Sequence, residues 1–480
     1  MRLISHLQQV YFPDKHKTAS VNPVYKTGSG PSTDDYNPKN DEYNYRPISL
    51  LTALSKLFEK VIVKQFTKFL TENNVFSKSQ FGFRNKHNTA HAIMNLLEII
   101  SEALENNEYT LAIFLDLKKA FDTVDHTILL EKLHHYGIRG TPLKLIKDYL
   151  SNRKQFVKIN NSLSDPLDIT CGVPQGSILG PLLFILYIND LSNISEFVKA
   201  ILFADDSTII KSDQILTKLG EEMTKEFALI SDWLNANKLS LNVLKTKYVV
   251  FCSRQKNDNP IATVNHNDKK LEQVESTKFL GAQVEQNLNW SEHIKTVTDK
   301  LAHVSGIIYR CQHILSQKSL LNLYKTLALP HILYCNVIWG ATHESHLDPI
   351  IKMQKRIVRN ITKSDFLAHS SPLFKELSLL KFPDINYLET LKVIHNLENN
   401  NLPVSLIELG NTLKCGQVHD HYTRQAQNYH LRHYSTEIAS KTSVINRGME
   451  FWNRLDTENR SIDKLKKFSA KITADVLENY

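Results

Sequence analysis

Two adjacent aspartates at the tip of a short hairpin are the residues of this sequence best suited to chemistry. A mostly apolar run from Phe197 to Phe203 precedes Asp205 and Asp206, and a second run from Thr208 to Ile210 follows them. Two short β-like runs around a brief break are typical of a hairpin. Adjacent carboxylates repel each other, and burial raises their pKa unless a cation is present. The pair therefore indicates a divalent metal held through oxygen, although a solvated acidic turn would explain the pair taken alone.

A third aspartate follows another apolar run. Asp116 comes directly after Leu111 to Leu115, a stretch that predicts a buried strand. Two strands ending in acidic residues can bring Asp116, Asp205 and Asp206 to one place. Such a cluster can hold two metal ions about 3.5–4 Å apart and clamp both oxygens of an in-line phosphoryl displacement. An all-oxygen site that keeps waters and substrate phosphates suits Mg²⁺, with Mn²⁺ as a substitute. The three aspartates therefore predict a phosphoryl-transfer centre with two Mg²⁺ ions.

The two acidic motifs resemble the palm of a reverse transcriptase. Phe203 to Asp206 has the Phe-Ala-Asp-Asp form of non-LTR retrotransposon polymerases, and Phe114 to Asp122 resembles the same family's first metal-binding motif. Further motifs occur in the family's order from about residue 20 onward, and Arg447 to Leu455 resembles the tail of jockey-like elements. The resemblance implies an α+β, right-hand polymerase fold. Its parts are fingers, a palm of antiparallel sheet packed on helices, and a helical thumb.

Two stretches resemble fingers motifs. They are Arg46 to Leu50 and Gln80 to Arg84. In the second motif, Arg84 would meet the incoming triphosphate, for which a planar and permanently charged donor is suited. Between the motifs, apolar residues at helical spacing, among them Leu54 and Leu57, predict a helix from Leu51 to Leu70.

The resemblance assigns nucleotide contacts to three palm residues. Phe121 lies five residues after Asp116, where the family places a bulky ring under the nucleotide sugar. A core phenylalanine is the alternative for this position. Gly172 to Phe184 matches the family's motif B, so Gln175 and Gly176 would lie against the nucleotide, since glycines permit close backbone approach to a ligand.

A lysine is expected to act as the acid of the reaction. The stretch from Asn242 to Lys247 resembles the next palm motif, whose lysine can protonate pyrophosphate. Lys245 fits best by spacing, with Lys247 as the rival. Lysine suits the task because its environment shifts its pKa readily.

Two other aspartates are expected to be structural. Asp122 and Asp125 precede a helix predicted over Thr127 to Tyr136. Acidic residues at that position usually cap a helix or complement its dipole. Further along the chain, Lys278 to Gly281 resembles the primer-grip hairpin of the family.

A basic helix is predicted over Asp348 to Thr362, where the resemblance places the thumb. Asp348 is expected to cap it and Pro349 to take its first position. One face would carry four basic residues: Lys352, Lys355, Arg356 and Arg359. No acid lies among those four, so this face is expected to bind the phosphates of a template–primer duplex. A merely solvated basic surface is the alternative.

The composition is that of a globular protein. The 480 residues are 42% apolar and 22% charged, and the net charge of +8 leans mildly toward polyanionic partners. Five scattered cysteines fit free thiols in a reducing compartment. The most apolar stretch, Ile178 to Ile188, is too short for a membrane span of about 20 residues. We therefore expect an intracellular protein of the nucleus, the cytoplasm or both, without a membrane partner.

The motifs divide the chain into four parts. Residues 1–45 are an N-terminal segment with a polar loop from Thr27 to Asn44, and residues 46–290 are the fingers and palm. Residues 291–400 are the helical thumb, and residues 401–480 form a C-terminal segment.

The resemblance implies an RNA-directed DNA polymerase that copies retrotransposon RNA into DNA. Its partners would be an RNA template, a DNA primer or target DNA, and dNTPs. An endonuclease would act in trans, because the chain is expected to begin too late to contain one. Two alternatives stay open: a truncated or domesticated copy that binds RNA without synthesis, and an RNA-templated RNA polymerase. Intact carboxylates count against the first, and Phe121 counts against the second.

Overall fold

The computed structural model describes residues 11–25, 45–253, 256, 260–267, 269–410, 413–418 and 426–480, and the predicted polar loop from Thr27 to Asn44 lies outside them. The chain divides into two compact units. The first comprises residues 1–83, 115–207 and 225–246, and the second comprises residues 84–114, 208–224 and 247–480. Among the described residues, no helix is both long and apolar enough to cross a membrane.

The strands are short, and most lie in the first 285 residues of the sequence. Their bounds are β1 Thr18–Tyr25, β2 Tyr45–Leu50, β3 Tyr109–Leu115, β4 Leu117–Lys118, β5 Arg153–Ile159, β6 Ser162–Leu163, β7 Leu167–Ile169, β8 Lys199–Phe203, β9 Asp206–Asp213, β10 Ser240–Leu241, β11 Lys247–Phe251, β12 Asn265–His266, β13 Lys269–Lys270, β14 Glu272–Gln273, β15 Ser276–Phe279 and β16 Ala282–Glu285.

The helices dominate the C-terminal half. Their bounds are α1 Ala53–Glu72, α2 Thr89–Glu105, α3 His126–His135, α4 Thr141–Leu150, α5 Leu179–Tyr187, α6 Leu216–Ala236, α7 Ser291–Cys311, α8 Gln317–Leu323, α9 Leu329–Leu333, α10 Asn336–Trp339, α11 Glu344–Thr362, α12 Ser370–Glu376, α13 Phe382–Glu398, α14 Val404–Gly410, α15 Cys415–Val418, α16 Glu437–Thr442, α17 Val444–Asn453, α18 Thr457–Arg460 and α19 Leu465–Glu478.

In the first unit, β1 lies between two partners. It runs antiparallel to β2 and parallel to β5, and β6 and β7 pair with β5. Helix α5 forms the core, because its apolar run is buried at every position except Pro181. An all-round apolar helix is a buried helix, so the sequence pattern of this stretch already specifies its place.

Helix α1 confirms the predicted helix, although its buried face differs from the predicted one toward the N-terminal end. The buried positions are Ser55, Glu59, Ile62, Phe66 and Leu70, which recur at steps of three and four. Leu54 and Leu57 are 56% and 46% exposed, so the expectation that they belong to the apolar face is wrong. A buried carboxylate, Glu59, occupies the middle of the face instead.

In the second unit, β11 lies between two partner strands. It pairs antiparallel with β3, from Lys247 opposite Phe114 to Phe251 opposite Thr110, and parallel with β14. Strands β15 and β16 form the hairpin predicted around Lys278 to Gly281. Tyr334 donates a hydrogen bond of 2.6 Å to the carbonyl of Leu280 at the tip of this hairpin.

The predicted basic helix exists, but it begins earlier than expected. Helix α11 starts at Glu344, and the side chain of His343 caps it by accepting from the backbone N–H of Ser345. Pro349 therefore lies inside the helix, and the predicted capping role of Asp348 is wrong. Asp348 instead forms an ion pair of 2.9 Å with Lys352, one turn later.

The C-terminal segment packs on helix α2, which is buried from His91 to Ile100 and beyond. The fully buried carboxylate of Glu98 accepts from the hydroxyl of Ser443 and the backbone N–H of Ile445, at the start of α17. Desolvation raises the pKa of Glu98, and the guanidinium of Arg447 opposes that rise. Arg447 donates to the carbonyls of Lys441 and Val337. The jockey-like tail therefore has a structural place within the second unit.

Candidate active site

The two adjacent aspartates lie on a strained turn between β8 and β9. Ala204 has a φ of +53°, a left-handed conformation that costs a non-glycine residue about 1–2 kcal/mol. Gln80 stabilises this conformation from outside the turn, because its Oε1 accepts from the backbone N–H of Ala204 at 3.3 Å. The turn therefore presents Asp205 and Asp206 from a backbone that the neighbouring segment holds in place.

That segment is the second fingers motif, and a glycine lets it approach. Its backbone bonds to β8 through Phe81 N–H and Leu202 carbonyl at 2.7 Å. Gln80 Oε1 also accepts from the N–H of Gly82 at 2.8 Å. A Cβ atom at Gly82 would meet the backbone nitrogen of Ala204 at 2.6 Å, closer than atoms tolerate. The glycine is therefore required by the close approach of two backbones.

Asp116 is held from the other direction, by the segment around Asn242. Strand β4 follows Asp116 directly and pairs antiparallel with β10, which directly precedes Asn242. The Asn242 amide donates to Asp116 Oδ2 at 2.8 Å, and its N–H donates to the Asp116 carbonyl at 2.8 Å. The hydroxyl of Thr246 accepts from the Asp116 N–H at 3.3 Å. This network orients Oδ2 of Asp116, and Oδ1 takes no part in the bonds to Asn242.

The three carboxylates interact electrostatically. Asp205 and Asp206 are open to solvent, yet enough protein surrounds them for desolvation to raise the pKa of both. The charge of Asp116 raises the pKa of each further, and the guanidinium of Arg46 lowers both. For Asp206 the result is a pKa of about 6. Asp116 is therefore close enough to disfavour the ionisation of Asp205 and Asp206, as expected where a cation is to be bound.

The donor set fits a hard divalent cation, although the side chains are not drawn together as ligands. Within the described ranges, no group of three or more His, Cys, Asp or Glu side chains has the geometry to hold a metal ion. The acids nevertheless offer oxygen ligands only, which suits Mg²⁺. A bound cation would neutralise the negative charge of these carboxylates.

The motif B loop is joined to the segment that follows Asp116. Gly172 N–H bonds to the carbonyl of Val124, and Val173 N–H bonds to the carbonyl of Phe121, both at 2.8 Å. The Gln175 amide donates to Asp122 Oδ1 at 3.0 Å. Asp122 therefore does not cap the helix as expected, whereas Asp125 does, by accepting from the N–H groups of Thr127 and Ile128.

Gly176 contacts the first fingers motif. Its φ is +118°, and a Cβ atom there would meet the carbonyl oxygen of Ser49 at 2.6 Å. The N–H of Ser49 donates to the Gln175 carbonyl at 2.6 Å. Gly176, which is predicted to lie against a nucleotide, is thus also required because the backbone of Ser49 approaches it closely.

Phe121 stacks on the core helix α5. Its ring lies 4.5 Å from that of Phe184, centroid to centroid, with 23° between the planes. Phe121 is half-buried, so one part of its ring is supported and another is accessible. This arrangement accommodates both interpretations of the residue, since a core contact holds a ring that can still meet a ligand.

A residue that the sequence reasoning missed, Glu59, fixes the start of α5. Its Oε2 accepts from the N–H of Ile178 at 2.6 Å and of Leu179 at 3.2 Å. Its Oε1 accepts from the hydroxyls of Ser55 and Tyr149. A carboxylate at a helix N-terminus satisfies otherwise unpaired N–H groups and complements the dipole. The available signal was an acid at a helical step on the apolar face of α1.

The two candidate lysines differ in their surroundings. Lys247 forms an ion pair of 3.3 Å with Glu272. Lys245 is exposed and forms no ion pair with any described residue. Arg84, in the second unit, is half-buried, and desolvation lowers its pKa.

Comparisons with known proteins identify the family. Residues 37–284, more than half of the chain, match the family model described as reverse transcriptase (RNA-dependent DNA polymerase). The chain therefore belongs to the reverse transcriptase family. The predicted α+β, right-hand polymerase fold is confirmed by this membership and by the mixed helices and sheets of the structure.

The relatives include polymerases of mobile elements. The probable RNA-directed DNA polymerase from transposon BS of Drosophila melanogaster is 29% identical over 393 residues, which cover 78% of this chain and 41% of that protein. The RNA-directed DNA polymerase from mobile element jockey of the same species is 28% identical over 406 residues, covering 80% and 43%. The predicted resemblance to jockey-like elements is confirmed. The chain spans less than half the length of these relatives.

The solved structures that align with this chain include a telomerase. Telomerase from Candida albicans, in complex with a TWJ fragment of telomeric RNA, aligns with 12% identity and a TM-score of 0.43. The alignment covers 85% of this chain and 66% of that chain.

Proposed function

We propose that this chain is an RNA-directed DNA polymerase that copies retrotransposon RNA into DNA, adding dNTPs to a primer 3′-hydroxyl. The observation that carries the proposal is the electrostatic coupling of Asp116, Asp205 and Asp206 in a chain of the reverse transcriptase family. Nucleotidyl transfer needs charge stabilisation at the reacting phosphate more than it needs covalent chemistry from the protein. Asp205 and Asp206, whose ionisation the charge of Asp116 disfavours, supply with it the negative site on which that stabilisation is built.

Asp116, Asp205 and Asp206 would hold two Mg²⁺ ions. Bound there, two such ions would supply Lewis acidity at the primer hydroxyl and neutralisation of charge at the leaving pyrophosphate. The protein's own contribution is orientation. Gln80 holds the turn that carries Asp205 and Asp206, and Asn242 holds one oxygen of Asp116. With the carboxylates fixed in this way, little reorganisation is needed when charge develops.

Other residues would bind the nucleotide and supply a proton to the leaving pyrophosphate. The accessible part of the Phe121 ring would lie under the sugar, and the Gln175 amide, oriented by Asp122, would contact the nucleotide. Lys245 would donate a proton to pyrophosphate, and its freedom from described ion pairs favours it over Lys247. Arg84 would contact the triphosphate, because a guanidinium stays protonated even when burial lowers its pKa.

A primer-extension assay tests the proposal. Purified protein, poly(rA)·oligo(dT), dTTP and Mg²⁺ should yield extended primer, and Asp205→Asn should reduce extension by at least about a hundredfold, because a lost ligand removes several kcal/mol of charge stabilisation. Binding of the template–primer by the variant should stay near that of the wild type. Extension by Asp205→Asn at a near-normal rate would refute the site.

The alternative is a copy that binds RNA without synthesis. It predicts template binding without extension by the wild-type protein under any divalent-metal condition. An RNA-templated RNA polymerase would instead extend with ribonucleotides in preference to deoxynucleotides. The same assay, run with both nucleotide sets, distinguishes all three.

A further inference from the structure

A cavity of about 370 Å³ lies between the C-terminal ends of helices α7 and α11. Its lining combines aromatic, cationic and amide side chains: Tyr309, Gln312, His313, Arg356, Arg359, Asn360, Lys363, Ser364 and Phe366. That volume falls in the range of pockets that hold small organic ligands. All of these residues belong to the second unit.

The charge of the cavity is one-sided. Arg356, Arg359 and Lys363 contribute three cations, and among the described residues no carboxylate belongs to the lining. Basic residues in the last turn of a helix complement its dipole, and that role alone could explain Arg359 and Lys363. It does not explain the aromatic residues beside them.

Two aromatic rings at the cavity are left open to solvent. Tyr309 is 56% exposed and Phe366 is 74% exposed. Exposed rings beside cations are what proteins use to bind unpaired nucleotides, because bases stack on the rings while the cations contact phosphates. A duplex offers phosphates but no free base faces to such rings.

The loop that carries Phe366 is ordered by its own hydrogen bonds. Arg359 Nε donates to the carbonyl of Ala368 at 3.0 Å, which ties the end of the loop to α11. Asp365 accepts from the N–H of Leu367 through its side chain and from the N–H of Ala368 through its carbonyl. The ring is therefore presented by a formed turn, which reduces the entropy lost on binding.

We propose that this cavity, which we call the Tyr309–Phe366 pocket, binds an unpaired nucleotide of single-stranded RNA or DNA next to a duplex. The proposal rests on the proposed function, since a polymerase meets unpaired template ahead of its primer terminus. It differs from the expected duplex contact of the basic face: Lys352 is paired with Asp348, whereas Arg356 and Arg359 line the pocket.

The test compares binding of three fluorescent ligands by anisotropy: a blunt RNA–DNA duplex, the same duplex with a single-stranded overhang, and an unstructured single strand alone. The wild-type chain should bind the overhang duplex about tenfold more tightly than the blunt one, since stacking contributes about 1–3 kcal/mol per base. Tyr309→Ala with Phe366→Ala should lose that increment and weaken single-strand binding, while blunt-duplex affinity stays the same. Lys363→Gln should lower the salt slope for the overhang duplex by about one unit.

Ile314→Ala is the matched control, because Ile314 is 84% exposed near the pocket but does not line it. It should bind all three ligands as the wild type does. A comparison of RNA overhangs with DNA overhangs shows which of the two nucleic acids supplies the bound nucleotide. If Tyr309→Ala with Phe366→Ala lost affinity equally for the blunt and the overhang duplex, or lost affinity for neither, the proposal would be overturned.

Failure of this proposal is distinguishable from failure of the proposed function. If the double variant retains the overhang increment while the wild type extends primers, only the pocket is refuted. If the wild type fails to extend any primer, the single strand alone still tests the pocket. Thermal unfolding of each variant excludes loss of fold as the cause.

Discussion

Asp206 is a carboxylate whose ionisation the metal-free protein resists. Its pKa of about 6 reflects desolvation first, then the charges of Asp205 and Asp116. An unfolded aspartate titrates near pH 3.9. The folded state therefore holds this proton more tightly than the unfolded state does, and the folded protein loses stability as the pH rises from about 4 through about 6. Above that pH range, the whole of this loss of folding stability is present.

Removing this charge should therefore stabilise the metal-free protein at neutral pH. In EDTA, Asp206→Asn should unfold at a higher temperature than the wild type at pH 8, and the difference should shrink toward pH 5. Added Mg²⁺ should raise the melting temperature of the wild type more than that of the variant, because a ligand that binds only the folded state stabilises it. Scanning calorimetry at both pH values measures this.

Asp213 provides the control of opposite sign. Lys218 lowers the pKa of Asp213 through a hydrogen bond and an ion pair of 2.7 Å. Asp213→Asn should therefore lose stability at pH 8 and not at pH values below the folded pKa. If Asp206→Asn behaved like Asp213→Asn, the coupling of the three acids would be refuted.

The Phe121 ring should decide the choice of sugar. Phe121→Ala should accept ribonucleotides about tenfold better relative to deoxynucleotides, because removing a ring opens the volume that a 2′-hydroxyl needs. Phe121→Tyr should retain the discrimination, since it keeps the ring stacked on Phe184. Single-nucleotide incorporation with dTTP and UTP measures the ratio. An unchanged ratio in Phe121→Ala would mark the residue as core only.

At this scale the sequence revealed the residues that carry charge and missed those that hold them. Asp116, Asp205 and Asp206 stand beside recognisable apolar runs, so their proximity was predictable, and the structure couples them. Gln80 and Glu59 act on backbone groups more than 100 residues away, Ala204 and Ile178. Nothing local to either residue specifies such a partner. The roles assigned to Lys245, Arg84, Gln175 and Gly176 stay predictions.

Among the elements, the hairpin of β8 and β9 depends most closely on a neighbouring segment. Gly82→Ala should reduce primer extension by about tenfold or more, because the added methyl must displace the backbone of Ala204 and with it the aspartates. Gly306→Ala on α7 is the control, since a Cβ atom there meets nothing within 4 Å. It should leave extension unchanged and stabilise the helix slightly.

Steady-state extension rates and melting temperatures should be measured together for both glycine variants. A Gly82→Ala protein that folds but does not extend shows that the turn sets activity. Full activity in that variant would mean that the hairpin tolerates displacement, and the proposed fixing of Asp205 and Asp206 by this segment would be wrong.

The elements themselves were predicted better than their boundaries. Strand β3 follows from a local apolar run, whereas the hairpin of β15 and β16 was predicted from the resemblance to the family. The start of α11 was misplaced, because Pro349 is favoured at a first position yet is tolerated inside a helix when packing supports it. Helix α1 was misassigned at Leu54 and Leu57 since its buried face carries a glutamate that the apolar pattern does not reveal.

For the whole molecule, the burial of Glu98 and Arg447 joins distant parts of the second unit. Arg447→Met should lower the free energy of unfolding by about 3 kcal/mol, because it removes two hydrogen bonds and leaves the Glu98 carboxylate without its compensating charge. Glu98→Gln combined with Arg447→Met should cost less than the sum of the single variants. Urea unfolding of the four proteins gives the coupling energy directly.

Arg454→Met serves as the comparison, because Arg454 pairs with Glu450 at the surface, where ion pairs contribute little. Its effect should be below about 1 kcal/mol. Strict additivity of the Glu98 and Arg447 substitutions would show that the two buried groups do not interact. The domain boundaries predicted near residues 45, 290 and 400 stay predictions. The contact of the C-terminal tail with α2 was not deducible from the sequence of either segment.

The pairing of Glu98 with Ser443, 345 residues apart, has a consequence for synthesis on the ribosome. At about 5–20 residues per second, translation of that interval takes roughly 17–70 seconds. Throughout it, helix α2 has emerged while the segment that covers its carboxylate has yet to be made. The nascent chain therefore presents an apolar helix without its final cover until the segment around Ser443 has been made. Such a chain needs chaperone protection during translation, and its yield should depend on the time that the ribosome takes to reach Ser443.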